Sequence, residues 1–386
     1  MRKFFTLLVT CSVLVLVSPA ALATPSKHPL AVTLLELGSL EGGQTRANDI
    51  NDRGQVVGYS QTNDTSYHAF LWQNGKMRDL TPNDAESSAI AINNRGQVLM
   101  RRTRVSGQVS EWGLWKDGRF TLIEGVDTAE FLNERGQVAG ALEHPGAPQD
   151  PEGPSRNPYV WTSGVRVDMP PIPNWDGHAS RIVGFNDRGD VIGIGTSPTT
   201  FEGGFVWSQG KITLVPDPRG SASYPADINN LGQVIGFGPG GQFLWSPKEM
   251  SYLKPPRGAM SFIVSLLNDR GTIAGSIRTR SGSSHAYVWQ EGRLSHIGKN
   301  LPGFSYATGI NDRVQMIGRF EVFDAHGQSV GISSFFWQNR TFVDLGAGIT
   351  GSAEAHKISE RGQIIGHVYE PTGGFRAVLW NTRPNR

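Results

Sequence analysis

Cysteine is almost absent from this chain. The 386 residues include one, Cys11, and it lies in an N-terminal segment that we expect to be removed. The remaining chain then has no disulfide and no cysteine-based metal site. Burial and backbone pairing must therefore hold the fold together, and the chain is long enough to bury a large core.

An excess of charge of either sign is also missing. Thirty-six basic and 34 acidic residues leave a net charge of +2. A nucleic-acid-binding protein normally gathers a basic excess on one face, so we do not expect nucleic acid as a partner. The nearest approach to a basic cluster is Arg101, Arg102 and Arg104, which we interpret as the charged edge of a strand.

Long apolar runs are limited to the N-terminus. Arg2 and Lys3 precede an apolar run from Phe4 to Val17, and Ala21-Leu22-Ala23 stands before Thr24. This pattern predicts a signal peptide over residues 1–23 and a secreted mature protein, extracellular or periplasmic. The rest of the sequence has no apolar run long enough to span a bilayer, so we expect no membrane insertion of the mature chain.

Glycine is abundant, with 48 residues, and long helical periodicity is missing. Short apolar runs alternate with clusters of Gly, Asn, Asp, Ser and Pro, which is typical of an all-β protein. The stretch INDRGQVVG (50–58) returns with small changes eight times, at intervals of 39 to 53 residues. The eight copies begin at Asn51, Asn93, Asn133, Asn186, Asn229, Asn268, Asn311 and Ser359.

Each repeat contains four short strands. In the first repeat they are predicted at 46–50, 55–60, 68–72 and 77–80. Four strands in a unit of this length are typical of a propeller blade. The last repeat lacks a fourth strand, whereas residues 31–40 resemble one. We therefore predict one β-propeller domain over 24–386, with eight four-stranded blades and the N-terminal strand completing the last. Seven blades is the fallback if one degenerate repeat is absorbed elsewhere.

A tryptophan ends the third strand of every repeat, and we predict that it fills the wedge between neighbouring blades. An array of sugar-stacking sites is the less favoured interpretation. The eight are Trp72, Trp115, Trp161, Trp207, Trp245, Trp289, Trp337 and Trp380.

The NDRG segment predicts a type I turn, with Asn51 at its first position and Gly54 at its fourth. A calcium loop is disfavoured because no downstream glutamate recurs; we expect neither a metal nor a cofactor. Val314 replaces the glycine in the seventh repeat. The sequence predicts either a strained left-handed residue there, by about 1–3 kcal/mol, or a turn of different shape.

The recurring core, together with HAFLW (68–72) and HAYVW (285–289), resembles the bacterial HAF-type extracellular repeat. The resemblance covers roughly residues 31–381. It implies secretion and a repeat architecture, and it brings no catalytic residues with it. Only His68 and His285 keep the His-Ala pair, so we do not expect this histidine to be a shared chemical device.

Variation in loop length predicts the working face. The turns between the first and second strands and between the third and fourth are short, and the other connections vary on the opposite face. Insertions in repeats three and seven carry Trp175, Asp176, His178, Asp324 and His326. In an eight-bladed ring these repeats face each other across the channel mouth. The candidate ligand site there has Trp175 as a stacking platform and the other four as polar contacts. The alternative, which the sequence favours, is that these insertions are surface loops packed on their own prolines.

The inner strands offer a second location for a ligand. Asn48, Glu130, Thr308 and His356 recur at one position of these strands. They are expected to face the central channel, where water is the favoured occupant.

Three functions remain open from the sequence. The first is a secreted, monomeric binding module for a glycan or an envelope or extracellular protein. The second is a carbohydrate hydrolase or lyase, for which Asp176 and Asp324 are the one carboxylate pair we nominate. The third is a structural surface scaffold. Because no Gly-x-Ser-x-Gly elbow, zinc His pair or phosphate loop is present, we favour binding without catalysis.

Overall fold

The structure is a computed structural model. It describes residues 30–62, 66–105, 109–143, 156–172, 178–196, 203–216, 222–255, 259–280, 282–290, 292–298, 301, 303–371 and 373–384. Throughout this part of the chain the regular structure is β-strand. No helix long and apolar enough to cross a membrane occurs among these residues. The predicted signal peptide lies outside them and stays a prediction.

Thirty-two strands form eight antiparallel sheets of four strands each. The first strand is β1 (Leu30–Glu36). Blade 1 consists of β2 (Thr45–Ile50), β3 (Val56–Gln61), β4 (Tyr67–Gln73) and β5 (Lys76–Asp79). Blade 2 consists of β6 (Asp84–Ile92), β7 (Val98–Arg104), β8 (Ser110–Lys116) and β9 (Arg119–Leu122), and blade 3 of β10 (Thr128–Leu132), β11 (Gln137–Glu143), β12 (Arg156–Thr162) and β13 (Val165–Asp168). Blade 4 consists of β14 (His178–Phe185), β15 (Val191–Thr196), β16 (Gly203–Ser208) and β17 (Lys211–Leu214).

Blades 5 to 8 continue the same pattern. Blade 5 consists of β18 (Tyr224–Ile228), β19 (Val234–Gly238), β20 (Gly241–Trp245) and β21 (Met250–Tyr252), and blade 6 of β22 (Ala259–Leu267), β23 (Ile273–Thr279), β24 (Ser284–Gln290) and β25 (Arg293–His296). Blade 7 consists of β26 (Ser305–Ile310), β27 (Met316–Phe323), β28 (Ser329–Gln338) and β29 (Thr341–Asp344). Blade 8 consists of β30 (Ser352–Ile358), β31 (Gln363–Tyr369) and β32 (Phe375–Pro384), together with β1. The eight-bladed propeller predicted from the repeats is therefore confirmed.

The two ends of the chain meet in blade 8. Strand β1 pairs antiparallel with β32, with Leu30 opposite Pro384 and Glu36 opposite Val378. The order of this sheet is β1-β32-β31-β30, so the N-terminal strand is its outermost member. The predicted closure is confirmed, and it pairs two strands that would otherwise leave exposed edges.

The tryptophans pack between blades as predicted. Trp72 of blade 1 lies in one buried cluster with Leu379 of blade 8, and Trp207 of blade 4 lies in one with Ala139 of blade 3. Each of the eight packs against residues of the preceding blade. Seven are buried and Trp289 is half-buried. Inter-blade packing thus explains the recurring aromatic residue.

The repeated NDRG segment is a turn that also joins the blades. In blade 1 the Asn51 Oδ1 accepts the backbone N–H of Arg53 at 3.0 Å, and the N–H of Gly54 donates to the Asn51 carbonyl at 3.0 Å. The Asn51 Nδ2 reaches the carbonyl of Asn93 in blade 2 at 2.9 Å. Seven such amide-to-carbonyl bonds, of 2.9–3.1 Å, link successive blades from 1 to 8.

The residues at the second position of the eight turns are linked by hydrogen bonds into a closed ring. The side chain of each accepts the backbone N–H of its counterpart in the preceding blade, at 2.7–3.1 Å. Six of the eight carry carboxylates, and burial, reinforced by neighbouring carboxylates, raises the pKa of three of them, Glu134, Asp312 and Glu360. The ring members are Asp52, Asn94, Glu134, Asp187, Asn230, Asp269, Asp312 and Glu360.

Val314 keeps the left-handed conformation of the glycine it replaces. Its φ is +57°, and its N–H donates to the Asn311 carbonyl at 3.0 Å as in the other turns. The sequence left open a strained left-handed residue or a turn of different shape, and the structure has the strained left-handed residue.

The strand order defines two faces of the ring. We call the face that carries the NDRG turns the turn face, and the face that carries the connections from second to third strands and from blade to blade the loop face. The turn face is tied together by the seven amide-to-carbonyl bonds and by the closed ring of second-position side chains, so its recurring polar residues have a structural role. The loop face is therefore the candidate location for a ligand site.

Candidate functional site

Exposed apolar side chains gather on the loop face. Met260, at the start of β22, is 67% exposed and lies at a strand end on this face. Val330, near the start of β28, and Tyr369, at the end of β31, are also exposed, and Ile332 is exposed two residues further along β28. Exposed apolar surface of this kind marks interaction sites more often than isolated apolar residues do.

One cavity of the loop face lies between blades 8, 1 and 2 and has a volume of about 400 Å³, the larger of the two described below. Its apolar part is aromatic, with Tyr59 two residues before the end of β3, Tyr67 at the start of β4 and Phe375 at the start of β32. The rings of Tyr59 and Tyr67 meet edge to face, with centroids 5.3 Å apart. All three rings are half-buried, so they present surface to a ligand.

The polar part of this cavity comes from blade 2. Glu86, Ser87 and Ser88 line it from β6, and Arg101, Arg102 and Thr103 line it from β7.

The two arginines of this cavity differ in their surroundings. Arg102 bonds to Glu111 at 3.0 Å and its guanidinium lies 3.7 Å from the centroid of the Phe120 ring. Arg101 is exposed, and the contact of its guanidinium recorded here is with the Ser110 hydroxyl at 2.7 Å. Arg102 is therefore neutralised and fixed by packing, whereas Arg101 is available to a ligand.

These arginines correct one expectation from the sequence. The cluster of Arg101, Arg102 and Arg104 does not guard a strand edge, because β7 lies between β6 and β8 in its sheet. Charged side chains are common on edge strands, but here they lie on a strand whose two edges are both paired.

Two hydrogen-bonded histidines, the buried His367 and the half-buried His356, lie beside Phe375. The His367 ring is 5.8 Å from that of Phe375. Its Nε2 accepts the backbone N–H of Ala47 at 3.1 Å, so its proton is on Nδ1, which donates to Nε2 of His356. Burial, with the nearby His356 and Arg46, lowers the pKa of His367 to about 3. The pair is therefore neutral and ties blade 8 to blade 1.

A second cavity, of about 210 Å³, lies on the other side of blade 8. It is lined by Arg319 and Ser334 from blade 7 and by Ser352, Glu354 and Tyr369 from blade 8, with Ile332 beside them. Arg319 forms an ion pair with Glu354, whose other carboxylate oxygen accepts the Tyr369 hydroxyl at 3.0 Å.

The two cavities are neighbours. Tyr369 of the second cavity stands opposite Phe375 of the first in the β31–β32 pair. Their ring centroids are 6.2 Å apart. We call these two neighbouring rings, one of which lines each cavity, the aromatic ridge.

The site residues predicted from the sequence are only partly described. Trp175 and Asp176 lie outside the described residues, and only the backbone of His178 is described, at the start of β14. Asp324 and His326 are exposed in the turn between β27 and β28, where the Asp324 Oδ1 accepts the N–H of His326 at 2.9 Å. Neither lines the two cavities. A site formed jointly by the insertions of repeats three and seven stays a prediction.

The sequence prediction did not include the residues that line the cavities, because it was based on the lengths of the loops. Tyr59, Tyr67, Tyr369 and Phe375 belong to blades 1 and 8, whose loops are short. A usable signal was present, since these aromatic residues depart from the repeat pattern at strand ends on the predicted working face.

The histidine of the HAFLW motif has a structural contact. The Nδ1 of His68 lies 2.8 Å from the Asp79 carboxylate, which joins β4 to β5. In blade 7 the hydroxyl of Ser333 makes the equivalent bond to Asp344 at 2.7 Å. The resemblance to the HAF-type repeat itself stays a prediction.

A metal centre is not built by the described part of the chain, where no group of three or more His, Cys, Asp or Glu side chains is arranged to hold an ion.

No family model and no curated protein matches the sequence. Among solved structures, one of two prolyl endopeptidases is similar at 12% identity and a TM-score of 0.52, over 85% of this chain and 55% of that one. An acylaminoacyl peptidase matches at 10% identity and a TM-score of 0.44, over 84% of this chain and 58% of that one. This chain thus spans little more than half the length of either peptidase.

The β-propeller domain of the Trilobed protease from Pyrococcus furiosus is also similar, at 9% identity and a TM-score of 0.43, over 70% of this chain and 92% of that one. At these identities the similarities show the β-propeller fold alone.

Proposed function

We propose that this protein is an exported binding module that takes its ligand into the cavity between blades 8, 1 and 2. The observation that carries the proposal is the combination of three half-buried aromatic rings, Tyr59, Tyr67 and Phe375, with the available guanidinium of Arg101. Ligand cavities commonly pair apolar surface with a few polar groups that fix orientation. At about 400 Å³, this cavity falls in the lower part of the usual range of about 300–1,000 Å³.

The rigid frame around the cavity supports binding rather than motion. The walls belong to strands of three blades. The hydrogen bond from the Ala47 N–H to the buried His367 and the closing β1–β32 pair hold blade 8 against blade 1. A preformed cavity loses little conformational entropy when a ligand enters. Export is the further part of the proposal, and residues 1–23 support it through their signal-peptide pattern.

A hydrolase is the main competing function, and peptidases occur among the similar folds. Glycoside hydrolysis by the usual route needs two carboxylates. The described lining of the larger cavity supplies one, Glu86, and Glu354 of the neighbouring cavity is engaged by Arg319 and by the Tyr369 hydroxyl. This composition favours binding. A structural scaffold, the third function, would leave the available Arg101 and the exposed aromatic surface without a role.

The test is a binding screen with matched variants. Purified protein is incubated with a glycan array and with peptide arrays of extracellular proteins, and hits are titrated by calorimetry. Phe375→Ala, Tyr67→Ala and Arg101→Ala are each expected to weaken binding by about tenfold or more. Phe237→Ala and Arg53→Ala serve as controls, because both residues are exposed and lie outside the cavity.

Saturable binding that depends on the first three residues and not on the controls supports the proposal. The proposal is overturned if nothing binds saturably, or if the cavity variants bind as the wild type does. Release of cleaved product from any bound glycan or peptide would replace the binding function with hydrolysis.

A further inference from the structure

We infer that the ligand is a chain of sugar residues that crosses the aromatic ridge of blade 8 and occupies both cavities. The inference rests on the proposed function, because it assigns a ligand class to the same site and extends that site by a second cavity. Three features of the structure carry it: the proximity of the cavities, their unequal volumes and their matching chemistry.

The proximity follows from the register of blade 8. Tyr369 and Phe375 are directly opposite in the β31–β32 pair, and their ring centroids are 6.2 Å apart. One ring lines the second cavity and the other lines the first. A ligand that covers the ridge therefore contacts both cavities without any movement of the blades.

The volumes indicate an extended site rather than two separate ones. The second cavity, of about 210 Å³, lies below the range of about 300–1,000 Å³ that is usual for a complete ligand site. The first cavity, of about 400 Å³, is large enough to hold a small ligand alone. The second cavity is thus best understood as an extension that receives the next unit of a chain.

The two cavities contain the same kinds of side chain, although the Arg319 guanidinium and the Glu354 carboxylate of the second cavity form an ion pair with each other. Each contains an arginine, a glutamate, serine hydroxyls and an aromatic ring. In the first cavity these are Arg101, Glu86, Ser88 and Phe375, and in the second they are Arg319, Glu354, Ser352 and Tyr369. Because the same groups occur twice, the ligand is expected to repeat its own groups as well.

A sugar chain has the required repeating groups. Each ring offers apolar C–H groups on its face, which pack on aromatic rings, and hydroxyl groups at its edge, which both donate and accept hydrogen bonds. Carboxylates accept from such hydroxyls and guanidinium groups donate to them, so a glutamate and an arginine can serve one sugar unit together. The opposite charges in each cavity also leave little net charge for a strongly charged ligand to match.

An extended peptide is the less favoured ligand. Peptides that bind by adding a strand need an exposed sheet edge. The cavities are instead lined by side chains from the ends of strands, and most of these strands, such as β3, β4, β7 and β31, are interior members of their sheets.

The experiment measures affinity against chain length. The probes are chito-oligosaccharides, cello-oligosaccharides and oligogalacturonates of one to four units, titrated into the full mature protein by calorimetry. In at least one series the four-unit member is expected to bind about tenfold or more tightly than the single unit. The neutral and acidic series together show whether a carboxylate on the sugar contributes.

Variants then locate the additional units. Tyr369→Ala is expected to remove the gain with chain length while the affinity for the single unit stays near the wild-type value. Tyr67→Ala should weaken every member of the series, and Phe237→Ala should change none. Tyr369→Phe keeps the ring and removes the hydroxyl that Glu354 accepts, so it is expected to keep most of the gain and to show that the ring is responsible.

Failure of this inference is distinguishable from failure of the proposed function. If saccharides bind through Tyr67 with the same affinity at every length, or if peptides bind there and no saccharide series does, the inference is overturned and the binding function stands. If neither saccharides nor peptides bind at Tyr67 and Phe375, both are overturned. A loss of single-unit binding in Tyr369→Ala equal to the loss of four-unit binding also overturns the inference.

Discussion

The carboxylate of Asp52 accepts the backbone N–H of Glu360 at 2.8 Å, although 308 residues separate the two in the chain. This bond closes the ring of eight turn residues. It joins blade 1 to blade 8 on the turn face, while β1 and β32 join the two ends of the chain in the outer part of blade 8. The ring is therefore closed twice, by strand pairing and by side chains.

Removing this closing side chain is expected to destabilise the whole domain. Asp52→Ala leaves the partly buried N–H of Glu360 without its acceptor, which should lower the free energy of unfolding by about 1–3 kcal/mol. Denaturant unfolding of the variant measures the loss. Arg53→Ala, at the exposed next position, is the control and should change stability by less than about 0.5 kcal/mol. Equal losses in the two variants would contradict a specific role for the ring.

Val314 replaces the glycine of the repeat in blade 7, and a second residue in the neighbouring blade also differs from the repeat pattern. In six of the turns, a glutamine Oε1 of the preceding blade lies 2.5–3.7 Å from the place where a Cβ on the turn glycine would stand. Before Val314 the corresponding residue is Thr272, which is shorter. The loss of the glutamine therefore makes room for the valine side chain.

This pairing predicts a double-mutant cycle. Val314→Gly should stabilise the protein by about 1 kcal/mol through relief of left-handed strain. Thr272→Gln alone should destabilise it by about 1–3 kcal/mol, because the longer side chain meets Val314. The double variant should recover more than the sum of the single changes, as measured by thermal and denaturant unfolding. Simple additivity would mean that the two residues do not share this space.

The buried tryptophans should be among the most sensitive positions of the fold. Trp207 is 4% exposed and packs against residues of blade 3, so Trp207→Ala is expected to lower the free energy of unfolding by about 3–5 kcal/mol. Phe237→Ala, at a 45% exposed aromatic residue, is the comparison and should lose much less. A loss below about 1 kcal/mol for Trp207→Ala would show that the wedge does not depend on this ring.

The histidine pair predicts sensitivity to acid. The pKa of His367 is lowered from 6.5 to about 3 in the fold, so the folded state binds fewer protons than the unfolded state at intermediate pH. Its contribution to stability is therefore complete above about pH 6.5 and is lost as the pH falls toward 3. The loss is on the order of a few kcal/mol.

A glutamine at this position tests the assignment. His367→Gln keeps an acceptor for the Ala47 N–H and cannot take up a proton. Denaturant unfolding across this pH range should show a flatter acid limb for the variant than for the wild type. Parallel curves would assign the acid sensitivity to other groups.

Local patterns in the sequence were enough to predict the architecture. The turn residues, the alternation of strands and the recurring tryptophan each depend on neighbours in the chain, and the unpaired strand at each end predicted the closure. The candidate cavity was not predictable in the same way. Tyr59 and Phe375 come from opposite ends of the chain and line one cavity only because blades 1 and 8 are brought together.

The sequence also did not predict which individual charged side chains are available to a ligand. Arg101 and Arg102 are adjacent in sequence, yet one is exposed at the cavity and the other is held by Glu111 and the Phe120 ring. Which of two neighbouring side chains remains available depends on the alternation of strand faces and on partners in the next strand. Trp175 and Asp176, by contrast, attracted attention through loop composition, which does not indicate where a side chain points.

The most direct test of the account is the position of a bound ligand. Crystals of the mature protein are grown with the tightest-binding saccharide or peptide from the screen, and the distance from the ligand to Phe375 and Tyr67 is measured. We expect the ligand to contact both rings and the Arg101 guanidinium, in the cavity between blades 8, 1 and 2. A ligand seated in the central channel or on the turn face, away from these residues, would contradict the account.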